Sequence, residues 1–444
     1  MLKFGQKIIN RGLMRAPDLR FAGAASLRVG EGEVAPPSGL DRSDVEEIWA
    51  KAAGMHDSGM HPMVSMCMRY KGDIVLHRSI GQARGTEGAG PVMAELDTPV
   101  CLFSASKVVI AVLVHKMAED GLIDLLNPVS YYIPAFAQNG KANLSVYQLL
   151  SHRAGVPGVP EGTPTATVFD HDATVQLICR QASLDNDGRI VAYHALTGGA
   201  IMAELIRVCT GLGVNEYLDQ VIRQPMGMRY FRYGLAAEDQ PQVAQNFTTG
   251  LPNYSLLGRH LRKVLGSDVE NVVRVSNSPQ FLDAEIPSAN LYATAEEAGR
   301  FFQMLLQQGQ WQGKQILSPL TVFHLAQEAT PPQLDKSLML PMRYSAGTML
   351  GGRRVGLYGL NTPYAFGHLG FSNILCWADP QRDLSVAVLN NGKPVIGSHL
   401  KSLLGLLYTL GKACPQRRDM TFWNENMGHF SQRKMKEAAM QAIK

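Results

Sequence analysis

Three places in the chain set a serine three residues before a lysine: Ser104–Lys107 in FSASK, Ser398–Lys401 in SHLK and Ser431–Lys434 in SQRK. A serine hydroxyl is a weak nucleophile until a neighbouring base takes its proton, and a lysine amine can be that base only when neutral. In water the amine titrates near ~10.4, so burial must lower it by about three units, roughly 4 kcal/mol. Serine also caps helices, and lysine is common one turn further in. For an isolated S-x-x-K the cap is the default reading, and it is assigned to Ser398 and Ser431. Ser104 is followed by VVIAVLVHKMAEDG, where Val108, Ile110, Val112, Leu113 and Val114 make nearly every side of the implied helix apolar. Such a helix is central, so a serine and lysine in its first turn share one face and are enclosed. The helix start adds unpaired N–H groups and a positive dipole end, which favour an oxyanion and disfavour an extra cation.

The elements around this stretch follow from pattern. Residues 1–40 read as an N-terminal arm ending in the loop GEGEVAPPSG. DRSDVEEIWAKAAG is a capped helix opened by Asp or Ser and closed by Gly54, and PMVSMCMRY, KGD and IVLHRSIG form a β-hairpin. Between about 105 and 330 helical periodicity dominates, in QLICRQA, GGAIMAELIRVCTG, EYLDQVI and EEAGRFFQMLLQQG. Strand-like runs return after 343 (RYSAGTML, RRVGLYGL, NILCWAD, LSVAVLNNG), followed by a helix in HLKSLLGLLYTLG. Strands at both ends around a helical middle give an α/β (α+β) fold, an antiparallel sheet formed from both chain ends and flanked by helices. The expected organisation is a sheet domain from 41–120 and 290–415, an inserted helical domain at 121–289 and a polar tail at 416–444. Loops at 151–170 and 233–286 are expected to shape the pocket.

Bulk properties narrow the partners. With 42 basic and 38 acidic side chains in 444 residues, the charge of +4 is too small and dispersed for a nucleic-acid surface. No uninterrupted apolar run approaches a membrane span. The six cysteines stand singly, several within apolar runs, and read as reduced core thiols. The first twenty residues are basic but lack the apolar core of a secretory signal; a transit peptide stays open for residues 1–25, though the stretch is poor in serine, and cytoplasmic placement is the expectation. Oligomeric state is undetermined by the sequence.

Five segments in order resemble the serine β-lactamase and penicillin-binding-protein superfamily, specifically its class C-like branch with the family VIII carboxylesterases. FSASK resembles the nucleophile motif, and DGLIDLLNPVSYYIPAF the segment after its helix. LSVYQLLSHRAGVPG is similar to the family's "LLTHTSGLP". VAYHALTGGAIMAELI with QPMGM resembles "YSN-x-GY-x-LLG" and "PLGM", and FGHLGFSNILCWADPQRDLSVAVLNNG the third-motif strand and its partner. The similarity spans about residues 60–410.

The resemblance implies a serine hydrolase working through an acyl-enzyme on small or medium esters, with acyl transfer as a variant and no metal or organic cofactor. It makes Ser104 the nucleophile, Lys107 its partner amine and Tyr193 a phenol sharing the proton transfer; which of the two is the base is left open. His368, Leu369 and Gly370 stand at the K-T-G or H-x-G motif as substrate-binding residues. The oxyanion hole falls to the backbone N–H groups of Ser104 and Phe371. Gly370 is expected to let substrate lie against the strand edge without a Cβ in the way. Two departures point toward esters: Ala195 replaces the usual asparagine of the second motif, and His368 replaces a lysine that would bind a carboxylate. The alternatives are an amidase, D-amino-acid peptidase or weak β-lactamase on the same fold, and a non-catalytic binding or scaffolding relative.

Other polar clusters read as structure. His56 and His61 in HDSGMH, and Asp170-His171-Asp172, lack a zinc-site spacing and are expected to be solvated loops. His115 is expected to be a satisfied core histidine, and His152 to have a structural role.

Overall fold

The computed structural model describes residues 26–85, 90–160, 162–250, 256–417 and 420. Its largest element is a ten-stranded sheet, antiparallel at every pairing: β1 (Arg28–Val29), β2 (Met63–Tyr70), β3 (Asp73–Arg84), β4 (Val92–Met93), β5 (Glu328–Leu334), β6 (Pro341–Ser345), β7 (Met349–Leu350), β8 (Phe366–Gly370), β9 (Ile374–Asp379) and β10 (Leu384–Asn390). The order is β1-β3-β2-β10-β9-β8-β7-β6-β5, with β4 beside β3. Strands from the two ends of the chain therefore meet at the β2–β10 seam, where Met66 faces Val388 and Cys67 faces Ala387.

Seven helices matter for the site: α1 (Arg42–Asp57), α2 (Ser106–Glu119), α3 (Thr197–Thr210), α4 (Leu256–Leu265), α5 (Val269–Ser276), α6 (Ala295–Leu306) and α7 (His399–Ala413). The central strands are buried on both faces, so they read as continuous apolar runs rather than alternating ones. The two-residue period divides them between two cores. Val64, Met66, Met68, Leu375 and Trp377 pack with Ile48 and Trp49 of α1 and Leu406 of α7. Cys67, Cys376, Ala378 and Ala387 face the other way, toward Phe301 and Phe302 of α6 and the apolar length of α2. The β2–β3 hairpin turns at Lys71–Gly72, both with positive φ (54° and 94°), which suits a two-residue turn between right-twisted strands.

Several expectations are corrected. Gly54 does not end its helix, because α1 continues to Asp57. A Cβ there would lie 2.7 Å from Ser402 Oγ, so the glycine instead lets α7 approach α1. The helix start is as expected, with Asp41 and Asp44 forming a reciprocal cap. The arm is partly structured: Arg28–Val29 pairs with β3, and Glu33 holds Arg78 at 2.8 Å. RRVGLYGL forms a separate ribbon of two-residue strands, Val355–Gly356 with Gly359–Leu360. The edge strand β5 went unpredicted because it carries Pro331 and Pro332; two register shifts and a free edge accommodate them. His56 and His61 are buried rather than solvated, and His61 Nδ1 lies 3.1 Å from the Gly392 carbonyl.

Asp170 accepts from Ala173 N–H to cap the helix His171–Arg180, and His171 meets Glu204 at 3.1 Å. His115 is buried with Nε2 2.7 Å from Ala346 O. All six cysteines are free, and Cys209 alone among them is half-buried rather than buried. No single helix among the described residues is long and apolar enough to cross a membrane. The possible transit peptide and Ser431–Lys434 lie outside the described residues.

Candidate active site

Ser104 occupies a single 3₁₀ turn, Phe103–Ala105, that runs directly into α2. Phe103, just before it, has φ 46°. A bulky side chain in the left-handed region costs about 1–3 kcal/mol and persists only where its surroundings enforce it. Here the Phe103 ring lies 5.5 Å from Phe371, and the buried Lys393 amine sits 4.9 Å from its centroid. The strained turn presents Ser104 while α2 stays sealed, with every residue from Ser106 to His115 buried.

Lys107 lies one turn along and only 3% exposed. Its Nζ is 3.3 Å from Ser104 Oγ and donates to the Ser288 carbonyl at 2.8 Å. Burial alone pushes its pKa well below the ordinary lysine value. A neutral amine has two N–H groups and one lone pair, so a single carbonyl partner leaves the lone pair free for the Ser104 proton. Ser288 is itself fixed: its hydroxyl donates to Leu196 O and accepts from Gly199 N–H, both at 3.0 Å.

Tyr193 comes from the loop before α3. Bonds from four backbone N–H groups hold that loop: Ala192 to His152 O and Ala195 to Pro157 O, each 3.0 Å, and Tyr193 to Asp335 Oδ1 and His194 to His152 Nδ1, each 3.1 Å. The LLSHRAGVPG stretch is thus the strap that seats Tyr193. Its ring lies 4.9 Å from the Lys107 amine. Burial raises the phenol pKa, with the Ser104 hydroxyl opposing, so the group rests as a phenol.

Three buried histidines back the pair. His152 accepts from His194 N–H at 3.1 Å and packs 4.9 Å from Tyr193, and His368 lies 5.9 Å from Tyr193. Burial lowers all three pKa values: His152 well below normal, His194 to about 4 and His368 to about 3, where Lys107 contributes. A neutral shell on this side gives Lys107 no countercharge.

The structure therefore brings Ser104, Lys107 and Tyr193 together, with Phe371 opposite. It does not bring His368, Leu369 or Gly370 to the surface of the cleft. His368 is buried and donates from Nδ1 to Leu369 O at 2.6 Å; Leu369 packs with Tyr193 and Met342. The space a Gly370 Cβ would need is taken by the Leu102 carbonyl and the Ile374 side chain. That glycine lets β8 close onto the nucleophile turn, a different reason from an open strand edge for substrate. The following Ser372 and Asn373 have φ 59° and 72°. Ser372 Oγ donates to Pro394 O, and Asn373 Nδ2 lies 2.9 Å from His399 Nε2, so the turn bearing Phe371 is tied down twice.

Ser288 and Asp335 escape sequence reasoning. Asp335 is buried, accepting from Ser337 and Leu338 N–H (2.8 Å each) and from Tyr344 Oη (2.8 Å). D-x-S-L signals a local turn but not that the same carboxylate holds Tyr193 from 142 residues away. A cleft of about 170 Å³ opens at Ser104, lined also by Tyr193, Ala195, Ser288 and Phe371. Residues from 159–169 and 264–286 complete it; these segments were expected to shape the pocket as loops, but the second is largely helical, with α5 and Pro279–Asp283 within it. Among the described residues no group of three or more metal-ligating side chains occurs.

Residues 48–403 match the Beta-lactamase family. The chain belongs to that family. A relative named Esterase/beta-lactamase LipL, from Mycobacterium tuberculosis, is 28% identical over 346 residues, covering 74% of this chain and 78% of the relative. Two solved structures share the fold. A penicillin-binding protein homologue from Caulobacter crescentus aligns with TM-score 0.73 at 24% identity, over 87% of this chain and 100% of that one. A family VIII carboxylesterase aligns with TM-score 0.72 at 23% identity, over 86% and 99%. These matches account for the fold and for the sheet drawn from both chain ends.

Proposed function

We propose that this β-lactamase-family chain is a serine hydrolase that cleaves small or medium carboxylic esters through an acyl-enzyme. The observation that carries the reading is the Lys107 amine, buried, with one carbonyl partner and no carboxylate, 3.3 Å from Ser104 Oγ. Lys107 takes the hydroxyl proton as Oγ bonds to the ester carbonyl carbon. The oxyanion is held by the N–H groups of Ser104 and Phe371. When the tetrahedral adduct collapses, the ester C–O bond breaks and the leaving oxygen takes a proton from Tyr193, which Lys107 replenishes. Water, or an acceptor alcohol, then attacks the acyl-Ser104 carbonyl and the proton path reverses.

The resting phenol of Tyr193 favours Lys107 as the base of the first step and Tyr193 as the relay. Ala195 offers the cleft no side-chain amide, which supports esters over amides and β-lactams. The relative named as an esterase and β-lactamase is consistent with either substrate class. The scheme calls for no metal or organic cofactor.

The test is a fluorophosphonate probe with mapping of the modified residue, followed by a panel of p-nitrophenyl esters, D-amino-acid amides and a chromogenic cephalosporin. Labelling at Ser104 with ester turnover leading the panel is expected. Folded protein that stays unlabelled would favour a non-catalytic scaffold.

A further inference from the structure

The cleft at Ser104 is chemically lopsided. Apart from Tyr193, none of its lining side chains among the described residues is ionisable. Away from Ser104 the walls are largely apolar, including Val159, Phe169, Val264, Val272, Val275 and Phe281. The two helices that close this end, α4 and α5, expose their basic side chains, and Glu270 of α5 is half-buried without lining the cleft. Arg259, Arg262 and Lys263 of α4 and Arg274 of α5 are exposed, while Val264, Val272 and Val275 are half-buried against the cavity. Within α5, spacing puts Val272 and Val275 on one face, one turn apart. Asn271 and Ser267 line the cavity beside them. At the turn between the helices, Gly266 has φ 74°, and a Cβ there would lie 3.8 Å from Val159 Cγ2. The helix pair thus reaches the 151–170 loop across the cleft. A cavity that runs from Ser104 to half-buried valines, with no charged side chain lining it among the described residues and Arg274 held outside on Asn271, matches a chain without charge.

We infer that this cleft binds an apolar chain of the ester, extending from the Ser104 carbonyl position toward α4 and α5. The inference rests on the ester-hydrolase reading and adds the class of substrate: neutral esters with a medium-length hydrocarbon chain, rather than acetyl-sized or anionic ones. The chain can belong to the acyl or the alcohol half, because both meet at the scissile carbon. Each methylene that leaves water for the cleft is expected to raise kcat/KM by up to about fourfold.

Two substrate series measure this. p-Nitrophenyl esters from acetate to decanoate lengthen the acyl half; n-alkyl acetates lengthen the alcohol half. A rise in kcat/KM beyond the four-carbon member in either series is the expected result and says which half enters. A Val275→Trp variant should lower the ratio of octanoate to acetate turnover at least about tenfold by filling the cavity. Because tryptophan there could perturb folding, the rate of Ser104 labelling by octyl against ethyl fluorophosphonate on the unmodified protein gives an independent reading, and octyl should be faster. Turnover that is flat or falling with length in both series, with no octyl preference, overturns the inference and leaves the ester-hydrolase reading standing. No turnover of any ester and no labelling at Ser104 overturns both.

Discussion

Ser104–Lys107 and Ser398–Lys401 share a tetrapeptide pattern and a place at the head of an apolar helix. At α7 both side chains are exposed, and Ser398 Oγ donates to Ser58 O at 3.2 Å, tying the helix start to the end of α1. At α2 the lysine is sealed in, the serine sits on a strained turn, and a phenol stands over the amine. The shared spacing does not separate the pairs; Ser104 lies in a 3₁₀ turn ahead of α2 and Ser398 directly at the head of α7, and it is burial that sets Lys107 apart. The comparison extends to a second buried amine. Lys141 donates to three carbonyls, Gln138 O (2.7 Å), Cys179 O (3.1 Å) and Gln181 O. That is the full complement of an ammonium ion, and no lone pair is left to accept a proton. Lys107, with one carbonyl, is built to stay neutral.

The largest effect separates the two serines. Ser104→Ala should lower ester kcat/KM at least about 10³-fold, whereas Ser398→Ala should stay within twofold or so of wild type. Equal losses from the two substitutions, measured on one ester with both proteins folded, would sink the distinction.

The contrast between Lys107 and Lys141 comes next. Lys107→Met should lower turnover about 10²- to 10³-fold yet leave the urea midpoint unchanged or higher, since it removes a buried amine with one partner. Lys141→Met should do the reverse, costing about 1–3 kcal/mol of stability by orphaning three carbonyls while folded molecules keep their activity. Lys107→Met combined with Tyr193→Phe should cost little more than the lysine change alone, because the two groups act as one proton path. Additive losses would mean separate roles.

A smaller loss is expected one step away. Asp335→Asn keeps the size of the side chain but weakens the acceptor that holds Tyr193 N–H and Tyr344 Oη. About tenfold in kcat with little change in KM is expected, and Asp335→Glu should not restore it. An Asp335→Asn variant that shifts KM alone would place the residue in substrate binding.

What was legible in the sequence follows the range of the interactions involved. The antiparallel sheet, the hairpin, the buried helix and the order of the motif segments all come from periodicity or contiguous residues. Gly54 was misread because a glycine near the end of a helical pattern suggests a stop, and nothing in its neighbourhood reveals Ser402 pressing on it from α7. His56 and His61 looked solvated for the same reason: Gly81 of β3 packs against His56, and Gly392 and His399 against His61. Ser288 and Asp335 act on Lys107 and Tyr193 through a carbonyl and a carboxylate distant in sequence, in segments whose own patterns speak only of turns. Ser104, Lys107 and Tyr193 were readable as candidates that the fold brings together, while the groups that hold them in position were not.

The last contrast is between what acid does to activity and to the fold. Lys107 must be neutral to accept the Ser104 proton, and burial depresses its pKa well below the ordinary lysine value. Turnover should therefore persist below the pH at which an ordinary lysine protonates and fall with a one-proton slope as pH drops through that depressed value. Stability has its own acid limb, to which the neutral shell contributes alongside His61, His115 and His399, also lowered by burial. His194 and His368 titrate at about 4 and about 3 when folded, and His152 well below normal, each lowered first by burial. An unfolded chain takes up these protons near ~6.5. Between ~6.5 and those folded values the unfolded state binds more protons, so the stability present above ~6.5 is lost progressively as pH falls. The urea midpoint should decline from pH 6.5 to 4, and added salt should do little to restore it, because burial rather than surface charge is the cause. A midpoint that stays level over that interval would mean that the buried histidines, the shell around Tyr193 included, are already protonated or hydrated in the native state, and Lys107 would then lose the surroundings that distinguish it from Lys401.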